Sequence, residues 1–296
     1  MLNGIHPTID LLQAGEIVYY DKVKDLTFDN GIKLSKGWAD LLVVDFEHSY
    51  FDIPGLQSFM EGLRQGGPTP NLYQTPTVIS TLPSNCRTRA EVESNAWQIR
   101  HVFSTGVHGI LHTHCQCPEA VQAYIEACRY SFQKIGVGPN LGPGNRGSGN
   151  QEEIAKFWGI SKQKYLKIAD PWPLNSEGTF LLGIKIETRK ALDIVNDLVT
   201  VPGLSIAEWG PGDMSMSFGY PDNHDPPYPP KVETARKMIK RACDRTGLQL
   251  MSSWNDQTKT IKQNLQTLFD WGIKIVACPS LEIREIGLHV KPRKSL

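Results

Sequence analysis

Three short stretches place ionisable side chains directly after apolar runs. Asp45-Phe46-Glu47-His48 follows Leu41-Leu42-Val43-Val44, and alternation along an extended chain sets Asp45 and Glu47 on one side, with His48 on the turn beyond. A carboxylate beside an imidazole orients the ring and tunes it as a general base, which makes Asp45 and His48 a candidate acid/base pair. The same spacing suits a solvated, capped turn. In Gly183-Ile184-Lys185-Ile186-Glu187, Lys185 and Glu187 share one face of an otherwise apolar segment, as an edge salt bridge or as part of a site. In Trp209-Gly210-Pro211-Gly212-Asp213 the glycines let the backbone approach a ligand closely, and Asp213 stands where a helix opens. Asp213 is then either an N-cap or, with Glu187, half of a hard-cation site. Two carboxylates completed by water and substrate oxygens suit Mg²⁺ first, and Mn²⁺ or Co²⁺ as well.

A fourth stretch, His112-Thr113-His114-Cys115-Gln116-Cys117, has two histidines that alternation points the same way. Such a pair binds Zn²⁺ or lines a pocket and hydrogen-bonds an oxygenated substrate. Lone histidines also serve as satisfied core residues.

These residues must be brought together by the elements that carry them. Short apolar runs alternate with helical periods, the signature of repeated β-α units around a parallel sheet. Eight strands are predicted: 17–20, 41–45, 77–80, 109–112, 181–186, 204–208, 249–252 and 274–277. Helical patterns cover 53–63, 90–103, 118–129, 189–199, 231–245 and 258–271. Eight strands in this rhythm predict a (β/α)8 TIM barrel of α/β class, with 1–296 as a single domain, although periodicity cannot itself distinguish closure from an open sheet. In a closed parallel barrel every strand end faces one mouth, so Asp45, His112, Glu187 and Asp213 converge there. The rhythm breaks between the fourth and fifth strands, where an insertion at about 136–180 holds a predicted helix over 151–169. A connection of that length is a functional arm, a lid or a subunit contact. Its Gly144-Asn145-Arg146-Gly147-Ser148-Gly149 lacks the lysine and Ser/Thr of a phosphate loop and reads as a mobile loop.

Composition removes other classes. With 31 Lys+Arg against 31 Asp+Glu, no global field attracts nucleic acid or an anionic membrane. No stretch approaches the length of about 18 apolar residues that a membrane span requires, and the N-terminus carries no secretory pattern, so a cytoplasmic protein is expected. Cys86, Cys115, Cys117, Cys128, Cys243 and Cys278 are too sparse for a disulfide scaffold and read as packing thiols.

Taken together, these motifs resemble the HpcH/HpaI aldolase family, the class II pyruvate aldolases that include 4-hydroxy-2-oxoheptanedioate aldolase. The similarity runs from about Asn3 to Ala277. Asn3-Gly4 with Leu11-Leu12-Gln13-Ala14-Gly15 resembles the family's start, and Asp45-Phe46-Glu47-His48 its D-G-E-H segment. Ile186-Glu187-Thr188-Arg189 resembles I-E-T-R, Gly210-Pro211-Gly212-Asp213-Met214-Ser215 resembles G-P-A-D-L-S, and Gly144-Asn145-Arg146-Gly147 resembles a G-x-R-G element. The resemblance implies a TIM barrel, usually hexameric with an exchanged C-terminal helix. It implies a divalent metal on Glu187 and Asp213, chelated by pyruvate. By the same resemblance His48 with Asp45 would be the acid/base pair and Glu47 would hydrogen-bond water on the metal; Gly212 is a candidate substrate contact, as are Lys185, His112 and His114, which stand where the chain departs from the family pattern.

The expected function is a metal-dependent carbon–carbon lyase that cleaves a 4-hydroxy-2-oxo acid or related hydroxy-carbonyl compound through a metal-stabilised enolate. The alternatives are a lyase on another enolate precursor, either a CoA thioester or a hydroxy acid undergoing elimination, and a non-catalytic ligand-binding relative. One departure bears on this. The family's third strand ends V-V-R-P, whereas here Val78-Ile79-Ser80-Thr81 carries no arginine. Loss of one donor to a developing oxyanion costs about 3 kcal/mol. Lys185 is the first candidate to replace it, with Arg87 or Arg89 from the following loop behind it. A lysine in a dry pocket could instead form a Schiff base. If two or more of Phe46, Trp209, Trp254, Phe157, Trp158 and Trp172 face the mouth, the aldehyde is aromatic or bulky.

Overall fold

The computed structural model describes residues 4–294, so Asn3 of the opening motif lies outside the described residues. The strands are β1 (Val18–Val23), β2 (Leu41–Val44), β3 (Thr77–Ser80), β4 (Gly109–His112), β5 (Pro171–Trp172), β6 (Phe180–Ile186), β7 (Ile206–Trp209), β8 (Gln249–Ser252) and β9 (Ile275–Ala277). The helices are α1 (Pro7–Gln13), α2 (Phe28–Ser35), α3 (Ile53–Gly66), α4 (Arg89–Ser104), α5 (Pro118–Cys128), α6 (Gln151–Phe157), α7 (Lys162–Ile168), α8 (Arg189–Asp193), α9 (Val195–Leu198), α10 (Pro211–Ser217), α11 (Pro230–Thr246), α12 (Ile261–Asp270) and α13 (Leu281–Val290).

All pairings are parallel, and β4 bonds β6 from Gly109↔Leu181 to His112↔Ile184, which closes an eight-strand barrel. The two-residue β5 is an extra strand beside the start of β6. Alternation divides the strand residues into two layers. Val18, Tyr20, Leu41, Val43, Ile79, Leu111, Leu181, Ile206, Met251 and Ile275 fill the barrel, and Ile9 and Leu11 of α1 join them. The other strand residues pack outward under the helices in a larger cluster. Thr8 Oγ donates to Thr77 Oγ at 2.7 Å, so α1 caps the N-terminal end and leaves the C-terminal end for chemistry.

The predicted strands all form within a few residues of their expected bounds, but two predicted helices break. Gly159, at φ 67°, separates α6 from α7, and Ile194 separates α8 from α9. The arm lies at the N-terminal side of the sheet. Trp158 Nε1 donates to Gly106 O at 2.8 Å ahead of β4, and Gln133 donates to Ala169 O just before β5. Buried Arg129 pairs with Asp170 at 2.7 Å, and buried Arg146 lies 4.7 Å from the Tyr130 ring centroid. The arm therefore braces the floor of the barrel and is not a lid over the mouth. Helix α13 packs on its own barrel, where a Cβ on Gly287 would meet the Tyr19 hydroxyl at 2.5 Å, and Arg293 beyond it binds Asp40.

Helices α2 and α3 meet backbone to backbone. A Cβ on Gly31 would lie 2.2 Å from Phe59 O, and one on Gly62 only 2.1 Å from Phe28 O. Gly62→Ala must push the helices apart, at a cost of about 3 kcal/mol. A thermal melt should show Tm lowered by roughly 5 °C or more, and an unchanged Tm would refute the close crossing.

Candidate functional site

The apolar barrel filling fixes which strand-end residues point to the axis. Asp45 follows inward Val43, Thr81 follows Ile79, Glu208 follows Ile206, and Lys185 and Glu187 continue the phase of Leu181. Register adds that Lys185 of β6 lies directly beside Glu208 of β7. Thr188 caps α8 by accepting from Ala191 N–H at 3.1 Å, which turns the chain just after Glu187 and fixes that carboxylate at the mouth.

Lys185 is the centre of the arrangement. Its Nζ lies 2.5 Å from Glu47 Oε2, 3.1 Å from Glu187 Oε2 and 4.0 Å from Glu208 Oε2. Burial opposes its charge, but Glu208, Glu187 and Glu47 together raise its pKa, so it is an ammonium. An ammonium held this way is no nucleophile, which argues against a Schiff base. Glu187 is fully buried, and burial raises its pKa against the pull of Lys185. Its Oε1 accepts the His114 backbone N–H at 2.7 Å, whereas Oε2, despite the nearby lysine, has no donor in hydrogen-bonding geometry among the described residues. Glu47 Oε1 is likewise buried without a donor among the described residues. Burial pushes Glu208 up to about 7, with Lys185 and Lys22 opposing.

His114 has a left-handed backbone, φ 49°, rare for a residue with a side chain and common where a site constrains the chain. That twist aims its ring between two carboxylates, 3.4 Å from both Glu47 Oε1 and Glu187 Oε1. Two groups of close ligand atoms result: Glu47/His114/Glu187 and Asp45/Glu47/His48. Asp213 is in neither. It occupies the first turn of α10, just past Gly210, on which a Cβ would meet Glu187 Oε2 at 2.7 Å. Gly212 is equally confined, because a Cβ there would meet His224 Nδ1 at 2.5 Å.

Asp45 and His48 do meet, with His48 Nδ1 3.1 Å from Asp45 Oδ2 and the imidazole 60% exposed. Burial would raise the Asp45 pKa, but Lys22 at 3.4 Å and His48 outweigh it, so the carboxyl is held below its ordinary value. Thr81 Oγ donates to Asp45 Oδ1 at 3.2 Å from the strand that carries no arginine.

Several expectations are corrected. His112 does not pair with His114, because the twist at His114 breaks the alternation that would align them. Its ring lies under α5, edge-on to Tyr124 at 5.1 Å, with Nδ1 accepting Thr113 N–H, and burial lowers its pKa to about 3. It is a neutral core histidine. Arg89 is committed to Glu126 and Glu93 at 3.0 and 2.9 Å, and Arg87 is exposed at the start of α4, so of the three candidate replacements only Lys185 stands within the carboxylate cluster. Phe46 and Trp209 are buried in the outer layer, against Phe51 and Tyr228, and Phe157, Trp158 and Trp172 belong to the floor. The rule that singles out Glu187, a polar residue ending an apolar strand, applies equally to Glu208, although the neighbouring Gly-Pro-Gly turn draws attention to Asp213 instead.

A barrel with this carboxylate-lined mouth belongs to a recognisable class. Residues 33–280 match the HpcH/HpaI aldolase/citrate lyase family, and the chain belongs to that family. Among curated relatives it is 26% identical, over 157 residues, to 2-keto-3-deoxy-L-rhamnonate aldolase of Escherichia coli strain K12; the match covers 53% of this chain and 52% of that protein. The chain thus matches about half the length of these curated relatives. Among solved structures it resembles an HpcH/HpaI aldolase/citrate lyase family protein from Burkholderia cenocepacia J2315, with TM-score 0.69, 16% identity and coverage of 92% and 91% of the two chains. It also resembles the citrate lyase beta subunit from M. tuberculosis complexed with oxaloacetate and magnesium, with TM-score 0.55, 9% identity and coverage of 95% and 99%.

Proposed function

We propose that this protein is a metal-dependent carbon–carbon lyase that cleaves a 4-hydroxy-2-oxo acid to pyruvate and an aldehyde. The observation that carries the reading is the buried Glu187, whose Oε2 has no hydrogen-bond donor among the described residues, inside a ring of Glu47, Glu187 and Glu208 around the Lys185 ammonium. Three carboxylates against one lysine leave a formal charge of −2 when all are ionised, which one divalent cation neutralises. The donor set therefore fits a hard cation, anchored by Glu187 and completed by Asp213 from α10, with Mg²⁺ favoured over Mn²⁺, Co²⁺ and Zn²⁺. The magnesium in the M. tuberculosis structure and the aldolase name of the E. coli relatives point the same way.

When bound, such a cation supplies a Lewis acid for the pyruvyl oxygens. The remaining work falls to side chains. Lys185 donates to an oxygen of the same pyruvyl group, in the role the missing arginine leaves open. Asp45, ionised at neutral pH, holds His48 through Nδ1 and leaves Nε2 to take the proton from the C4 hydroxyl. The C3–C4 bond then breaks, the aldehyde departs, and its electron pair remains on pyruvate as an enolate that is protonated at C3. Glu47 and His114 position water at the mouth. Exposed Tyr50, Phe132, Ile135 and Leu281 support a homo-oligomer, which light scattering of the purified protein would establish.

The test is proton exchange at the methyl group of pyruvate in D₂O, followed by NMR. Treatment with EDTA should abolish exchange, and Mg²⁺ or Mn²⁺ should restore it. Undiminished exchange after exhaustive chelation overturns the metal reading, and turnover of acyl-CoA thioesters with none of hydroxy-oxo acids overturns the substrate class.

A further inference from the structure

The mouth has a second wall that the cleavage steps above do not use. Glu208 is the most open of the three carboxylates around Lys185, at 15% side-chain exposure against 9% for Glu47 and 0% for Glu187. It stands 4.0 Å from the ammonium, beyond hydrogen-bonding distance, and among the described residues no side-chain hydrogen bond involves it. Ser253, two residues past inward Met251, and Ala277 follow on the next strands, and Lys22 stands on β1 beyond them. On these strands the barrel filling ends with Met251, the register neighbour of Glu208, Ile275 and Tyr20. Trp209 is turned outward onto Tyr228, and Trp254 packs between Tyr228 and Trp271 at 5.6 and 4.5 Å. Both indoles are spent on the outer layer, away from an aldehyde at the axis.

From this geometry we infer that Glu208 selects the carbonyl partner of the reaction, accepting hydrogen bonds from the hydroxyl groups of a neutral hydroxyaldehyde. The inference rests on the lyase reading above. A substrate hydroxyl replaces the water on this carboxylate with a hydrogen bond, whereas an alkyl chain of the same size strips that water and returns nothing, so the hydroxyl is favoured. The same carboxylate repels an aldehyde with an anionic tail, since Lys185 is already shared among three negative groups.

The experiment is aldol addition of pyruvate by the metal-loaded protein to glyceraldehyde, pentanal and succinic semialdehyde, in wild type, Glu208→Gln and Glu208→Leu. Each variant is read as the ratio of kcat/KM for glyceraldehyde over that for pentanal, which cancels differences in the amount of folded, active protein. Wild type should prefer glyceraldehyde to both others. The ratio should fall by about 10- to 100-fold in Glu208→Leu and by less in Glu208→Gln, which keeps an acceptor oxygen. Succinic semialdehyde should improve in both variants. An unchanged ratio in Glu208→Leu, in protein whose wild type exchanges the pyruvate methyl protons, overturns the role of Glu208 alone. If wild type shows no exchange, the lyase reading falls and this inference with it.

Discussion

Glu187→Gln should lower pyruvate methyl exchange by about two to three decades and abolish retention of a divalent cation through gel filtration. The substitution keeps the shape and removes the charge. One amide oxygen can still accept the His114 N–H that Oε1 accepts at 2.7 Å, but the amide nitrogen then faces Lys185 Nζ, 3.1 Å from the present Oε2. Two donors in contact turn the ammonium toward Glu47, and the only fully buried carboxylate of the ring is gone as a cation anchor. Stability should move the other way. Burial raises the Glu187 pKa, so the fold favours its neutral form, and a neutral isostere should leave Tm unchanged or higher when measured in EDTA. Metal analysis, NMR exchange and a melt together separate a lost site from a lost fold. Wild-type exchange in the variant would remove Glu187 from the mechanism. Asp213→Asn and Glu47→Gln then rank the remaining donors, and metal retention in the former with loss in the latter would move the second ligand from α10 to the β2 loop.

Much of the scaffold was legible because a buried parallel strand is a short apolar run and its end is marked by the first polar residue. The runs before Asp45 and His112 obey that rule, the run before Glu187 is broken only by Lys185, and their number and rhythm favoured a barrel over an open sheet. What the sequence could not show was orientation wherever the backbone leaves the β region. Alternation predicts a His112/His114 pair, and the left-handed turn at His114 cancels it, sending one ring under α5 and the other into the mouth. Helix breaks at Gly159 and Ile194, and the place of the arm at the floor, depend likewise on tertiary packing that overrides local period. The acid/base candidates Asp45 and His48 were readable because three residues suffice to bring them into contact. The Lys185 cluster was only half readable, since Glu47 and Glu208 reach it from two other strands and their convergence exists only in the closed barrel.

Acidification from pH 6 to 5 should destabilise the metal-free protein steeply, well before ordinary carboxylates titrate. Three histidines are buried uncharged. His6 has Nε2 2.9 Å from Thr179 O and Nδ1 3.0 Å from Thr77 Oγ, and its ring lies 4.6 Å from that of His108. His108 accepts Val78 N–H at 3.0 Å, and His112 lies edge-on to Tyr124. Burial lowers His6 to about 4, His112 to about 3, and His108 well below its ordinary value. Each folded pKa is below the unfolded one near 6.5, so the unfolded chain binds the extra protons as pH falls. Their stabilisation is complete above the unfolded value and is lost as pH falls toward the folded values. Glu208, raised to about 7, has the opposite sign, because in this window the folded state holds its proton, and Glu187, also raised, acts in the same direction as Glu208. Three protons against one or two leave a net slope on the order of 1.4 to 2.7 kcal/mol per pH unit, a large share of a typical stability of about 5 to 15 kcal/mol. Denaturant midpoints at pH 6 and 5 in EDTA measure that slope. Removing one opposing proton in Glu208→Gln should steepen it by about 1.4 kcal/mol per unit, and His112→Gln should flatten it by the same amount. A midpoint independent of pH in wild type would mean that these imidazoles are charged inside the fold, which their burial opposes.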